Sequence, residues 1–167
     1  MLKKIKKIIA SFRKSNIHRY AIVKRKCFIP LNTRIGPWTV IDGEGGEVHI
    51  GERCSVNASS WIGAGYSRIS IGDDVRMGAG VKISCSHHIF SDVNTPIREQ
   101  GIQKGLDIVI GNDCWLGMGV IICPGVTIGQ GVVIGAGSVV LHDIPDFSIA
   151  VGSPAKVVKH RIDQSFE

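Results

Sequence analysis

The sequence has few aromatic side chains and no long apolar run. Aromatic residues make up 6% of the 167 residues, although 44% are hydrophobic and 21 are glycine. Ordinary globular cores take much of their buried area from aromatic side chains. This composition therefore predicts narrow, repetitive packing with many sharp turns, where glycine is tolerated. No apolar stretch approaches the roughly 20 residues that a membrane-spanning helix needs, and a secretory signal pattern is absent.

Paired cysteine motifs are missing, and so are acidic residues near the N-terminus. The five cysteines include no C-x-x-C pair, which argues against a disulfide framework or a structural zinc site and favours reduced thiols in the cytoplasm. Residues 1–26 hold ten Lys or Arg and no acid, whereas the remaining chain has 10 basic and 14 acidic residues. The net charge of +6 therefore reflects the N-terminus and does not indicate a nucleic-acid-binding domain.

The first residues show helical periodicity. Apolar side chains spaced three and four apart face a lysine-rich side, at Leu2, Ile5, Ile8, Ile9 and Phe12. This spacing predicts an amphipathic helix. It fits a short helix packed on the body or on a neighbouring subunit. It also fits a peripheral helix on the inner face of an anionic membrane, contacted through residues 1–26.

A strict period of six dominates the second half of the chain. The leading aliphatic residues are Ile110, Leu116, Ile122, Ile128, Ile134 and Val140, and glycine follows at four of these six positions. Five further small or branched residues each lie four positions after a leading aliphatic, at Cys114, Val120, Val126, Val132 and Ser138. Short strands separated by turns produce this period, and three of them close a coil of about 18 residues. Stacked coils bury what one coil alone leaves exposed.

The repeat defines the expected domain boundaries. Weaker Ile-Gly hexads extend back to about residue 29, and the polar stretch 89–107 has no phase. A loop this long inside a regular solenoid must project outward and is usually functional. We therefore expect a basic N-terminal segment at 1–28, an all-β parallel β-helix catalytic domain at 29–151 and a short basic tail at 152–167. The tail from Ala155 is a candidate for a short helix.

Several motifs make a family resemblance specific. In chain order they are Trp115-Leu116-Gly117, PGVTIG at 124–129, IGAGSVV at 134–140, Asp143-Ile144-Pro145 and GSPAK at 152–156. This combination resembles the hexapeptide-repeat acyltransferases, and within them the sugar and polysaccharide O-acetyltransferases. The resemblance implies a left-handed parallel β-helix, a homotrimer with active sites between subunits, acetyl-CoA as co-substrate and a saccharide acceptor. It implies no metal and no nucleic-acid partner.

Two adjacent histidines stand where the projecting loop leaves the coil. His88 lies 17 residues after Ile71, the offset at which the resembling O-acetyltransferases place their catalytic histidine, and His87 is the second choice. A sugar hydroxyl is a weak nucleophile near neutral pH. An imidazole with a pKa near 6.5 can accept its proton while staying largely neutral itself.

The resemblance also suggests residues for the acceptor. Asn57 lies roughly where relatives carry an acceptor-binding Asn, although Asn is also common at turns. Relatives often have an acid near the position of Tyr66, and Asp92 or Glu99 from the loop are candidates to replace it. Trp115 is expected beside the site at a subunit interface.

The same resemblance places the co-substrate along the later coils. The expected contacts are Gly117, Met118, Gly135, Ala136, Ser138 and His142, with Lys156, Lys159 and Arg161 facing the phosphates of CoA. His142 stands where many relatives have Lys. The three basic residues also fit a solvated tail.

Three other functions remain open from the sequence. The nearest is N-acetylation of an amino sugar on the same coil. A γ-type carbonic anhydrase needs three zinc-binding histidines, and beyond positions 87 and 88 the chain offers only His18, His49, His142 and His160, none at the usual spacing. A non-catalytic trimeric scaffold would not need His88 or the CoA-site motifs.

Overall fold

The computed structural model describes residues 16–161. Within this range the chain winds into a nearly all-β coil in which every strand but the last pairs in parallel with strands of neighbouring coils. The predicted parallel β-helix is confirmed. The predicted N-terminal amphipathic helix lies outside the described residues.

Short strands build the three faces of a prism. The six-stranded face contains β1 (Ile22–Val23), β4 (Val40–Asp42), β7 (Trp61–Gly63), β10 (Lys82–Ser84), β13 (Ile121–Ile122) and β16 (Val139–Val140). The five-stranded face contains β2 (Cys27–Phe28), β5 (Glu47–Ile50), β8 (Arg68–Ile71), β11 (Ile108–Ile110) and β14 (Thr127–Ile128). The seven-stranded face contains β3 (Arg34–Ile35), β6 (Ser55–Val56), β9 (Arg76–Met77), β12 (Trp115–Leu116), β15 (Val133–Ile134), β17 (Ser148–Val151) and β18 (Lys156–His160).

The leading aliphatic residues stack in columns inside the prism. On the six-stranded face the register joins Ile41, Ile62, Ile83, Ile122 and Val140. Their exposed fractions are 1% or less. Burying such a side chain contributes about 1.5–3 kcal/mol. The period of six thus places one leading aliphatic on each face in turn.

Three edges join the faces, and each is a column of turns. Edge 1 leads from the seven-stranded to the six-stranded face and comprises turns 36–39, 57–60, 78–81, 117–120 and 135–138. Edge 2 leads from the six-stranded to the five-stranded face and comprises turns 24–26, 43–46, 64–67 and 123–126, together with the segment 85–107. Edge 3 leads from the five-stranded to the seven-stranded face and comprises turns 29–33, 51–54, 72–75, 111–114 and 129–132.

Both ends of the coil differ from the sequence-based expectation. Parallel pairing begins before residue 29, since Ile22 pairs with Val40 and Cys27 with Val48. The C-terminal stretch is a strand rather than a helix, because β18 pairs antiparallel with β17. Residues 156–160 form a strand because the open side of β17 offers unpaired backbone N–H and C=O groups. Their mixed polarity has no clear period, so the sequence did not predict a strand.

The segment 85–107 projects from edge 2 between β10 and β11. It contains one short helix, α1 (Ile97–Gln100), whose residues are all outside the core. No helix in the part of the chain that the structure describes is long and apolar enough to cross a membrane.

Candidate active site

The two histidines lie at the root of the projecting loop. His88 forms an isolated antiparallel bridge with Ile102. On either side of it, the carbonyl of His87 accepts from Gln103 N at 3.0 Å and the carbonyl of Gly101 accepts from Ile89 N at 3.1 Å. The outgoing and returning chains therefore fix the backbone of His88, while both imidazoles remain exposed.

Asp92 organises the loop beyond this root. Its carboxylate accepts from Thr95 Oγ1 at 2.6 Å and from Asn94 N at 2.9 Å. The hydrogen bond from Thr95 lowers the pKa of Asp92, and the backbone N–H of Asn94 acts in the same direction. Gln100 closes the loop by donating to the carbonyls of Asp92 and Thr95. Glu99 is exposed and pairs only with its neighbour Arg98 at 3.1 Å among the described residues.

Tyr66 occupies the same edge as the histidines, one coil earlier. A side chain at Gly65 would come within 2.8 Å of Ser86 Cβ, so the turn at Tyr66 lies directly against the segment that leads to His87. The Tyr66 ring is half exposed, and Lys104 Nζ lies 5.1 Å from its centroid. The structure thus brings Tyr66, His88 and the loop to edge 2.

Cys85 is not a second nucleophile beside the histidines. Its side chain is fully buried, and burial raises the pKa of the thiol to about 12. A thiol must ionise and be accessible to react. Burial therefore argues against nucleophilic catalysis by Cys85.

Edge 1 carries the small residues predicted to contact the co-substrate. A Cβ on Gly117 would lie 2.6 Å from Ala136 N and 3.0 Å from Gly135 C, so these residues allow successive turns to stack closely. Met118 is 64% exposed and projects from the same column. An exposed column of Met118 and Ala136 leaves room for an extended ligand arm along the edge.

Ser138 faces inward instead. Its side chain is fully buried, and its hydroxyl accepts a hydrogen bond from Gly152 N at 3.0 Å. A side chain in this position supports the coil and does not reach a ligand at the surface.

The three predicted basic contacts lie at different places along β18. Lys156 pairs in register with Val151 near edge 1, while Lys159 pairs with Ile149 further along. Arg161 reaches edge 3, where its Nη1 donates to Gly131 O at 2.8 Å and to Asp113 Oδ2 at 3.0 Å. Only Lys156 therefore shares an edge with Met118 and Ala136.

The remaining candidates also divide between the edges and faces. Asn57 is exposed on edge 1, where its Oδ1 accepts from Ala58 N at 2.9 Å. His142 is exposed just after β16, on edge 2. Trp115 is 57% exposed on the seven-stranded face, with Arg76 and Val133 as its strand neighbours.

One chain does not bring all these groups together. About five residues of extended chain separate edge 1 from edge 2 in each coil, which corresponds to roughly 15 Å. Edge 2 and its loop carry His88, Tyr66 and Asp92. Edge 1 carries Asn57, Met118 and Ala136. A site that uses both groups needs edge 1 of a second copy.

Edge 1 has an electrostatic property that motif comparison alone missed. The five segments that cross it are 34–41, 55–62, 76–83, 115–122 and 133–140, and neither these nor the hairpin 149–157 beside the last of them contains Asp or Glu. Four basic residues flank it, namely Arg34, Arg76, Lys82 and Lys156. The absence of acids in register is visible in the sequence once its segments are aligned by coil. Such an edge attracts an anionic ligand.

No cluster of three or more His, Cys, Asp or Glu side chains suited to a metal occurs within residues 16–161. His18 and His49 lie on early coils, far along the prism from His142 and His160.

Comparisons with known proteins agree with this architecture. Two family models match, "bacterial transferase hexapeptide (six repeats)" over residues 107–142 and "hexapeptide repeat of succinyl-transferase" over residues 47–85. The galactoside O-acetyltransferase of Escherichia coli is 38% identical over 120 residues, which cover 72% of this chain and 57% of that protein.

Two solved structures share the fold. A maltose O-acetyltransferase from Clostridium difficile superposes with a TM-score of 0.53 at 32% identity, covering 89% of this chain and 71% of that one. An N-acyltransferase from Bacillus cereus, in complex with dTDP and coenzyme A, gives a TM-score of 0.77 at 25% identity, covering 87% and 80%.

The coil and these matches identify the β-helical fold of the hexapeptide-repeat transferases. The chain belongs to the hexapeptide-repeat acyltransferase family. It spans about half the length of the curated relatives it matches, between 42% and 57% for three of them.

Proposed function

We propose that this protein transfers an acetyl group from acetyl-CoA to a hydroxyl of a saccharide, with His88 as general base. The observation that carries the proposal is the placement of His88. It is exposed, its backbone is held by the loop root, and it lies at the one point where the described coil is interrupted by a long loop. Family membership supports the reaction class.

His88 would act on the acceptor in a complex that holds both substrates. Its imidazole accepts the hydroxyl proton as the sugar oxygen attacks the thioester carbonyl. The carbon–sulfur bond then breaks, and the same imidazole returns the proton to the departing sulfur. Positioned proton transfer of this kind is typically worth 10²–10⁴-fold in rate.

Edge 1 of a neighbouring subunit would hold the co-substrate. Its exposed Met118 and Ala136 leave a path for the pantetheine arm, and Lys156 at its far end suits a phosphate. The acid-free composition of the edge favours the several negative charges of CoA. A trimer would bring this edge to the His88 of the next copy. Contact of residues 1–26 with an anionic membrane surface, and a cytoplasmic location, are part of the same proposal.

Paired histidine variants test the proposal. His88→Ala should lower kcat by roughly 10²–10⁴-fold and leave the calorimetric affinity for acetyl-CoA unchanged, because the imidazole acts on the acceptor. Release of free CoA with a panel of sugars and nucleotide sugars provides the readout. His87→Ala, with the same exposed imidazole removed one residue earlier, is the matched control and should stay near wild type.

Three other results would contradict the assignment of His88 as general base or the proposed activity. A large loss in His87→Ala alone would transfer the role of base to His87. Full activity in both variants would refute histidine base catalysis at this loop. No measurable acetyl-CoA binding by the wild-type protein would favour a non-catalytic scaffold.

N-acetylation of an amino sugar is the second candidate. The fold match to the N-acyltransferase, with a TM-score of 0.77, favours it specifically. Glucose and glucosamine as competing acceptors separate the two reactions, because the ester product is cleaved by mild base and the amide product is not.

A further inference from the structure

The N-terminal end of edge 1 carries a cleft that has no role in the reaction proposed above. The cleft has a volume of about 330 Å³ and is lined by residues 16–18, 34–37 and 55–57, which belong to three successive coils. Its lining includes His18, Arg34, Ser55 and Asn57. Asn57 is the residue predicted to bind the acceptor, so the cleft continues directly from the expected acceptor position.

An aromatic stack is formed by residues that are close in the chain to Pro37 and His18 of the cleft lining. The rings of Tyr20 and Trp38 are 4.6 Å apart and nearly parallel, at 6°. The guanidinium carbon of Arg19 lies 4.6 Å from the centroid of the Tyr20 ring. Trp38 is 63% exposed and directly follows Pro37, which lines the cleft. Exposed indole faces suit the apolar faces of sugar rings.

The backbone of Trp38 is in an unusual conformation for a large side chain. Its φ is +60°, and the equivalent turns of later coils have Ser59, Gly80, Gly119 and Gly137 in the same left-handed region. A bulky residue with positive φ is rare and costs about 1–2 kcal/mol. Strained positions of this kind cluster at ligand sites.

The charge around the cleft is one-sided. Arg34 forms no ion pair with a carboxylate among the described residues, and the segments 29–41 and 53–64 contain no acid. An uncompensated guanidinium next to a sugar-sized cleft favours an anionic group on the ligand.

From this juxtaposition we infer that the acceptor is an anionic saccharide. Its sugar ring lies against Trp38, and its carboxylate or phosphate pairs with Arg34. The inference rests on the proposed saccharide acetylation and adds the charge of the acceptor to it.

Matched acceptor pairs test the charge. Galacturonate against galactose tests a carboxylate, and galactose 1-phosphate against galactose tests a phosphate. Acetyl transfer to at least one anionic member should have a kcat/KM about tenfold or more above galactose at low salt, and the preference should shrink as salt rises. Arg34→Gln should remove that preference.

Two control variants separate local from general effects. Arg25→Gln removes the same charge from an exposed arginine on edge 2 that pairs with Glu44, and it should keep the preference. Trp38→Gly relieves the backbone conformation while removing the ring, so a folded protein with a raised acceptor KM is expected. Ser59→Gly makes the same change of backbone preference one coil later and should leave the acceptor KM unaltered.

A binding measurement keeps the result independent of turnover. Calorimetry with galacturonate and galactose 1-phosphate, with CoA present, should show binding that Arg34→Gln abolishes. Equal kcat/KM for neutral and anionic acceptors, or equal binding by wild type and Arg34→Gln, overturns the inference while acetylation of galactose still supports the proposed function. Loss of acetyl-CoA binding in the wild type would instead refute the proposed function.

Discussion

Ser138 and Ser148 are both fully buried, yet their hydroxyl groups have different surroundings. The Ser138 hydroxyl accepts from Gly152 N at 3.0 Å, whereas the Ser148 hydroxyl has no partner among the described residues. A buried donor that loses its acceptor costs about 1–3 kcal/mol, whereas removing an unpaired hydroxyl costs little.

Replacement of each serine by alanine separates support of the coil from ligand contact. Ser138→Ala should lower the free energy of unfolding by about 1–2 kcal/mol and leave the affinity for acetyl-CoA unchanged. Ser148→Ala, the matched control, should be neutral or slightly stabilising. Urea unfolding and calorimetry provide the two readouts. Weaker acetyl-CoA binding in Ser138→Ala at unchanged stability would restore Ser138 as a direct ligand contact.

The orientation of Ser138 follows from the repeat. The small residues four positions after the leading aliphatics face the core, as Cys114, Val120 and Val132 do, and Ser138 follows Val120 in the column of edge 1. Resemblance of the motif IGAGSVV to the family predicted that Ser138 contacts the ligand. The repeat of six instead indicated that the side chain is buried. The coil phase was the better guide at this position.

Strand β18 and the residue after it place three basic side chains at different positions along the seven-stranded face. Lys156 lies at the edge 1 end of the strand, and Arg161 follows its edge 3 end. Antiparallel pairing with β17 produces this separation. The sequence could not reveal it, because residues 156–160 lack an alternating pattern and their partner strand is distinguished only by its open side.

Single replacements in and after β18 should therefore have different effects. Lys156→Gln should raise the KM for acetyl-CoA several-fold without lowering stability, with a smaller difference from wild type at high salt. Arg161→Gln should leave that KM unchanged and lower the unfolding free energy by up to about 1 kcal/mol, since its ion pair with Asp113 is partly solvated. Lys159→Gln serves as the control for charge alone. Identical KM changes in all three variants would mean that only net charge matters.

The later strands of the coil could be predicted from the sequence, whereas the first coil and the contacts of the loop could not. The spacing of six alone predicted that Ile122, Ile128 and Ile134 point into the core, because successive leading aliphatic residues lie on successive faces of the prism. The first coil was missed, since Ile22-Val23 and Cys27-Phe28 carry no glycine after the aliphatic. His88 was placed at the loop root by its offset from Ile71, but the bridge to Ile102 that holds it depends on contacts formed only in the folded loop.

At the scale of the whole molecule, the candidate site is divided between edges. His88 lies on edge 2 and Ala136 on edge 1, roughly 15 Å apart across the six-stranded face. The proposed trimer would resolve this, because a heterologous contact repeated around a three-fold axis would place edge 1 of each copy against edge 2 of the next. The acid-free edge would then face the loop of the neighbouring copy.

Mixed assemblies test whether the site needs two chains. His88→Ala removes the base, and Ala136→Trp fills the exposed column of edge 1, so each variant alone should be inactive. In a 1:1 mixture refolded together, a site works when its histidine comes from one variant and its edge from the other, which is about a quarter of the sites in a random trimer. Activity near a quarter of wild type, with a trimeric mass by light scattering, is expected. A mixture as inactive as its parents, at the same trimeric mass, would mean that His88 and edge 1 must come from the same chain.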